Sequence, residues 1–224
     1  MTAMSARAHW ILTVQILVLM MGASLYSLWR LGPDVLLPVH FDAAGQPTRY
    51  AHAPWALGVG PLMALVLAVA MPLAARLLPL AENLERSAAA WRVSRLSVLG
   101  VLAVTHLGLV VTALGHPVEL RRLHAFALGM AMAAIGNVLG KVRPNHLMGI
   151  RTPWAKADEW VWDRTHRFGG RLTVAGGLAL MALALFLPPG ILRGPSLSFS
   201  VVMTVAAIAW VRSYLYWRVR PGRP

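Results

Sequence analysis

The chain has 224 residues, of which 58% are apolar and only 13% charged, about half the charged share of a soluble domain. That balance excludes a soluble globular enzyme, a disordered chain and a fibrous repeat. Lys and Arg number 21 against 8 Asp and Glu, a formal +13, yet these cations lie between apolar runs, so positive loops beside membrane spans explain them better than direct nucleic-acid binding.

A helix needs about 20 apolar residues to cross roughly 30 Å of hydrocarbon. The first such run is 10–29. It resembles a secretory signal, with Arg7 and His9 ahead of it and Gly22-Ala23-Ser24 as a small-residue cleavage site. The run continues to Trp29, beyond a signal's apolar length, so a retained anchor is expected.

The connection 30–54 follows. Pro38 forbids helix, and Gly45 with Pro47 marks turns. His40 and Asp42 flank Phe41, so on an extended strand they would share a face. That makes two ligands of a metal site, with His52 as the one evident third. Structural zinc takes four ligands. An ordered turn in which Asp42 caps local backbone donors is the simpler reading, and no cofactor is expected. A metal-dependent membrane enzyme using His40, Asp42 and His52 is the weakest of the alternatives.

Span two is 55–79; Pro61 and Pro72 each remove a backbone donor and predict bends. Span three, 97–115, carries His106 beside Thr105. An ionisable group at that depth is a functional candidate; the plainer reading is a neutral imidazole bonded to a neighbouring helix. The turn 116–122 makes spans three and four an antiparallel hairpin. Span four, 123–140, contains Gly136-x-x-x-Gly140 and a small face through Gly129, Ala133 and Ala134, with Asn137 beside it and able to bond across it. Packing within the bundle is favoured over a dimer seam. A polar path past His106 and Asn137 would suit a small-molecule transporter or channel. No Asp or Glu lies in any span, which counts against ion coupling.

The connection 141–170 is the most unusual stretch. Thr152-Pro153 reads as an extended or turn dipeptide. Asp158 and Glu159 suit a helix N-terminus, and a short helix is expected to Phe168, ended by Gly169-Gly170. On it Trp162 and His166 stand four apart. Trp154, Trp160, Trp162 and Phe168 are expected to anchor in the headgroup layer. A docking surface centred on Arg151 and His166 is the sharper alternative. A general-base His166 oriented by Asp163 or Glu159 lacks a nearby serine nucleophile. Spans five and six are 171–189 and 197–216.

With the N-terminus inside, sixteen Lys and Arg fall on the inner side and five on the outer. This bias predicts N-in, C-in, with 141–170 in the cytosol. Cysteine is absent, so disulfides, thiolate metal sites and cysteine nucleophiles are excluded.

Two motifs then resemble a known family. Pro38-Val39-His40-Phe41-Asp42 with Gly45 resembles the short N-terminal membrane domain that often precedes SdpI-type proteins. Gly149-Ile150-Arg151-Thr152-Pro153-Trp154, followed by Glu159, Trp162, Thr165, His166, Gly169 and Gly170, is similar to the SdpI signature itself. One departure is Ala155-Lys156-Ala157, where members usually carry Thr and Ser; Asp158 is expected to take over the helix cap. The resemblance implies a multi-pass protein of a bacterial cytoplasmic membrane. It divides the chain into a membrane domain over 1–80 and an SdpI-like domain over 81–224. It also implies a non-enzymatic immunity or signalling role, with a secreted peptide toxin outside and a small transcriptional repressor held at the membrane. The expected architecture is an all-α polytopic bundle of six spans. Its partner-binding inner loop would use Asn145, Gly149, Arg151, Thr152, Pro153, Trp154, Glu159, Trp162, Thr165, His166, Gly169 and Gly170.

Overall fold

A computed structural model of the chain describes residues 5–42, 46–77, 81–188 and 197–221. Gly45 of the sequence reading lies outside these residues, and so does the side chain of Phe41.

Helix α1 is Ala6–Leu31. It begins because the Ser5 hydroxyl accepts the Ala8 N–H at 3.1 Å. It ends at Gly32, whose φ of 84° turns the chain while its N–H donates to Leu28 O. Strands β1 (Leu36–Phe41) and β2 (Pro47–His52) form an antiparallel hairpin with register irregularities on either side of His40. Helices α2 (Ala53–Leu77), the short α3 (Ala81–Arg86) and α4 (Ala88–Ala113) follow. Then come α5 (Leu120–Leu139), the short α6 (Pro153–Ala157), α7 (Glu159–Phe186) and α8 (Leu197–Arg218).

Six of these helices are long and apolar enough to cross a membrane. The all-α polytopic bundle holds, with the hairpin added between the first two spans. Large apolar side chains such as Val18, Leu62, Phe199 and Trp210 stand exposed on the helix surfaces. Such a coat is tolerable in lipid and costly in water.

Helices α1, α2 and α4 pack as one group; α4 then packs on α5, α5 on α7, and α7 on α8. Leu37 of β1 plugs the first group beside Ala53, Leu57 and Val110. Arg121 Nη2 donates to the Asp42 carbonyl and so ties the hairpin to the start of α5. Helix α2 runs uninterrupted through Pro61 and Pro72.

Two sequence boundaries are corrected. Helix α4 starts nine residues before the expected span, so Arg92 and Arg95 are helical rather than loop residues. Gly169-Gly170 does not end a short helix: α7 is continuous from Glu159. Glycine is poor helix former on its own, but here missing side chains are what the packing uses. A Cβ at Gly136 would lie 2.7 Å from Gly170 O, and one at Gly129 would lie 2.7 Å from Gly177 O. Four glycines, seven apart on each helix, thus bring the α5 and α7 backbones together without intervening side chains. The small face of span four is used inside the bundle, as expected. Its partner is span five.

Candidate functional site

The connection between α5 and α7 folds back under the helix ends as one hydrogen-bonded unit. It starts at Val142, whose carbonyl accepts the Trp162 indole N–H at 2.7 Å. Asn145, buried, makes the next bend. Its Oδ1 accepts the Leu147 and Met148 N–H groups, both at 2.8 Å, and its Nδ2 donates to Arg143 O. Such a side chain replaces a missing stretch of backbone pairing. The loop is also fastened to the first half of the chain. Arg143 N–H donates to Ser87 Oγ at 2.9 Å, and Asn83 Nδ2 donates to Pro144 O at 2.8 Å.

Gly149 then takes φ 113°, a conformation few side chains tolerate. This aims the Ile150 N–H at His166 Nε2, 2.9 Å away. The other ring nitrogen, Nδ1, stands 2.8 Å from Trp162 O. A carbonyl only accepts and an amide N–H only donates. Their positions therefore fix His166 as the neutral tautomer with its proton on Nδ1. The imidazole stacks on the Trp162 ring, with centroids 4.1 Å apart and planes at 21°. Ile150 continues into a notch at Gly169, where a Cβ would collide with its Cδ1.

Thr152 closes the unit. Its Oγ1 accepts the Ala155 N–H at 3.1 Å and caps α6, with Pro153 in the first turn. The same oxygen is 2.6 Å from Ser213 Oγ on α8, and Thr165 Oγ1 donates to Ser213 Oγ at 3.1 Å. Three buried hydroxyls thus join loop, α7 and α8. Trp154 packs against Trp210 and Tyr214 of α8, at 5.5 and 5.1 Å between ring centres.

Asp158 caps α7 as expected: its Oδ1 accepts the Val161 N–H at 3.0 Å. Its Oδ2 is 2.6 Å from Arg220 Nη1. The Val161 N–H, aided by Arg220 and opposed by burial, holds the carboxyl below its ordinary range. The folded value being the lower one, this stabilisation is complete above the ordinary carboxylate range. It fades as pH falls through the depressed value. Asp158→Ala should therefore loosen the start of α7 by about 1 kcal/mol, mostly through the lost cap, since partly exposed ion pairs add little. Limited proteolysis around residue 158 across the acid range tests this. The wild type should become more cleavable as pH falls, and the variant should be cleavable throughout.

Nine of the twelve expected inner-loop residues meet here: Asn145, Gly149, Thr152, Pro153, Trp154, Trp162, Thr165, His166 and Gly169. Arg151 and Glu159 are exposed on its surface, and Gly170 faces α5 instead. Trp162 is not a headgroup anchor; it is 1% exposed. A general-base role for His166 meets a geometric obstacle, because both ring nitrogens are engaged by backbone and Asp163 reaches toward Arg143 at 3.9 Å. Val142, Ser213 and Arg220 were missed. Backbone carbonyls have no sequence signal, and Ser213 reads only as a small polar residue in a greasy run.

The remaining candidates are scattered. His106 Nε2 lies 2.9 Å from Ser24 Oγ on α1, and Ser24 Oγ also donates to Leu57 O of α2 at 2.8 Å. That is the neighbouring-helix bond expected for it. Asn137 is exposed on α5 and makes no hydrogen bond across the glycine seam among the described residues. Small side chains leave no partner there. His106 and Asn137 are not brought onto one path. In the hairpin, Asp42 Oδ1 accepts the Gln46 N–H at 2.8 Å, the turn-capping role expected of it. His40 stands opposite Arg49, whereas His52 pairs with Leu36 at the other end of the strands. Among the described residues, no group of three His, Asp or Glu is placed to hold a metal ion. Pro38 pairs with Tyr50 in the same ladder.

The SdpI/YfhL protein family model matches residues 141–216, which span the inner loop, α6, α7 and most of α8. The chain is similar to "Immunity protein SdpI" of Bacillus subtilis (strain 168), with 27% identity over 126 residues. That stretch is 56% of this chain and 59% of the relative's length. No solved structure matches. Residues 141–216 are thus similar to the SdpI/YfhL family, and the chain that carries them is a multi-pass bacterial membrane protein.

Proposed function

We propose that this protein is a non-enzymatic immunity protein of the cytoplasmic membrane. It protects its cell against a secreted, membrane-acting peptide and passes that state to a cytosolic partner, a small transcriptional repressor. The observation that carries the reading is Arg151. It stands exposed on a loop anchored by the buried, hydrogen-bonded side chains of Asn145, Thr152 and His166, inside the segment that matches the family. A surface cation held on so ordered a base is suited to recognition. The Lys and Arg bias puts this loop in the cytosol and both termini with it. The hairpin carrying Pro38, His40 and Asp42 then faces outward, where a peptide arrives first. The stretch 1–80, with that hairpin, acts as the receiving domain and 81–224 as the reporting one.

Arg151→Ala separates recognition from folding. The variant should insert and unfold like the wild type, within about 0.5 kcal/mol, as a surface substitution does. Survival of a toxin-challenged host expressing it should fall to that of cells lacking the protein. Full survival with Arg151→Ala would remove the inner loop from the mechanism. Impermeant labelling of a cysteine placed at residue 151 in intact cells tests the orientation: no labelling is expected until the membrane is opened.

A further inference from the structure

At the inner-loop end of the bundle, but on the α1–α4 contact, lies a second group of cations. Arg92 and Arg95 stand three apart on α4, which places them on neighbouring positions of one face. Arg95 is 2% exposed, as is His9 of α1. The Arg95 guanidinium lies over the Trp10 ring, 4.5 Å from its centre, and its Nη2 donates to Ala68 O of α2 at 3.1 Å. Arg95 and Arg92 both lie within electrostatic range of His9.

Each of these groups has a nitrogen without a hydrogen-bond partner. Both ring nitrogens of His9 and the Nε atoms of Arg92 and Arg95 are buried without a hydrogen-bond partner. Helices α1, α2 and α4 contain no Asp or Glu. Among the described residues no carboxylate forms an ion pair with either arginine. A buried donor left unpaired costs about 1–3 kcal/mol, and an uncompensated buried charge costs more. Structural packing accounts for the Trp10 and Ala68 contacts of Arg95 but leaves both His9 nitrogens and the Nε atoms of Arg92 and Arg95 unpaired near the contact of two helices.

The missing component has a definable chemistry. It carries negative charge, it accepts without donating, and it offers several oxygens to two planar guanidinium forks. Phosphate has that character. Arg95 sits seven residues into α4, about 10 Å along the axis, a depth a lipid headgroup region reaches. Basic pockets between spanning helices near the cytosolic surface take anionic headgroups. Arg92 is only half-buried, so the group borders the surface of the bundle.

We propose that His9, Arg92 and Arg95 form a phosphate-binding site between α1 and α4, filled by the headgroup of an anionic phospholipid from the leaflet on the inner-loop side. The site is independent of the immunity reading, and its test needs no toxin. The full chain in zwitterionic detergent is mixed with phosphatidylglycerol, with phosphatidylcholine or with inorganic phosphate. Bound lipid is counted by native mass spectrometry and unfolding temperature is recorded.

Wild type should retain phosphatidylglycerol in preference to phosphatidylcholine. That preference should fall about fivefold or more in Arg92→Gln, the worth of one cation near the surface. Arg92 is partly exposed, so this variant should fold. Arg95→Lys keeps the charge and loses the fork, and should weaken retention as well. Arg212→Gln, on α8, should leave it unchanged. No preference in wild type, or an undiminished one in both Arg92→Gln and Arg95→Lys, overturns the lipid site. If inorganic phosphate alone raises the unfolding temperature of wild type and not of Arg92→Gln, the anion site stands and the lipid source is overturned.

Discussion

Gly149→Ala should disorganise the whole inner loop. The φ of 113° at this position is strained for any residue with a side chain, a penalty of about 1–3 kcal/mol. In addition the new Cβ would collide with the His166 imidazole. Relief requires either the ring or the loop to move. Either movement breaks the Ile150 N–H bond to Nε2, and displacing the ring also disturbs its stack on Trp162. Gly32→Ala separates strain from collision. Gly32 has φ 84°, yet a Cβ there meets nothing within 4 Å. Both variants should lose stability in detergent, and only Gly149→Ala should expose residues 143–152 to protease. If the two behave alike, the imidazole does not organise the loop.

The second large effect is expected at the glycine seam, and it discriminates within a single motif. Gly136→Ala would place a methyl group 2.7 Å from both Gly170 O and Val174 N, which are backbone atoms and cannot step aside. The helices must part, at a cost of about 1–3 kcal/mol or more. Gly140→Ala should be nearly silent, since its Cβ would meet the nearest atoms of Arg167 at 3.6 Å, an ordinary contact. Thermal unfolding of the two purified variants measures the difference. Equal destabilisation would mean that the α5–α7 approach is not set by these glycines.

This contrast shows what was legible beforehand. Six apolar runs and the small face on span four were plain, because hydropathy and residue size are properties of the sequence alone. The partner of that face was not. Gly170 and Gly177 were available at the matching spacing, but Gly169-Gly170 read as a helix stop. Propensity argued for a break, and tertiary packing outweighed it. Nine of the twelve inner-loop residues named from the motif come together in the fold, and Asp158 takes the capping role expected of it. The internal wiring of the loop was less visible. Backbone acceptors such as Val142 O carry no side-chain signature, and Ser213 lies some sixty residues from its partner Thr152. Trp162 was misread for a different reason. An indole near a membrane surface suits the headgroup layer, and only the fold shows that its N–H is spent on a buried carbonyl.

The bonds from Ser213 to Thr152 and from Arg220 to Asp158 also impose an order on biogenesis. The loop leaves the ribosome well before either partner exists. Until the last helix has been synthesised and inserted beside α7, Thr152 and Asp158 must remain without those bonds. The loop between α5 and α7 is therefore sealed only once α8 is in place, and a nascent chain halted before residue 213 would carry that loop without its bonds to α8.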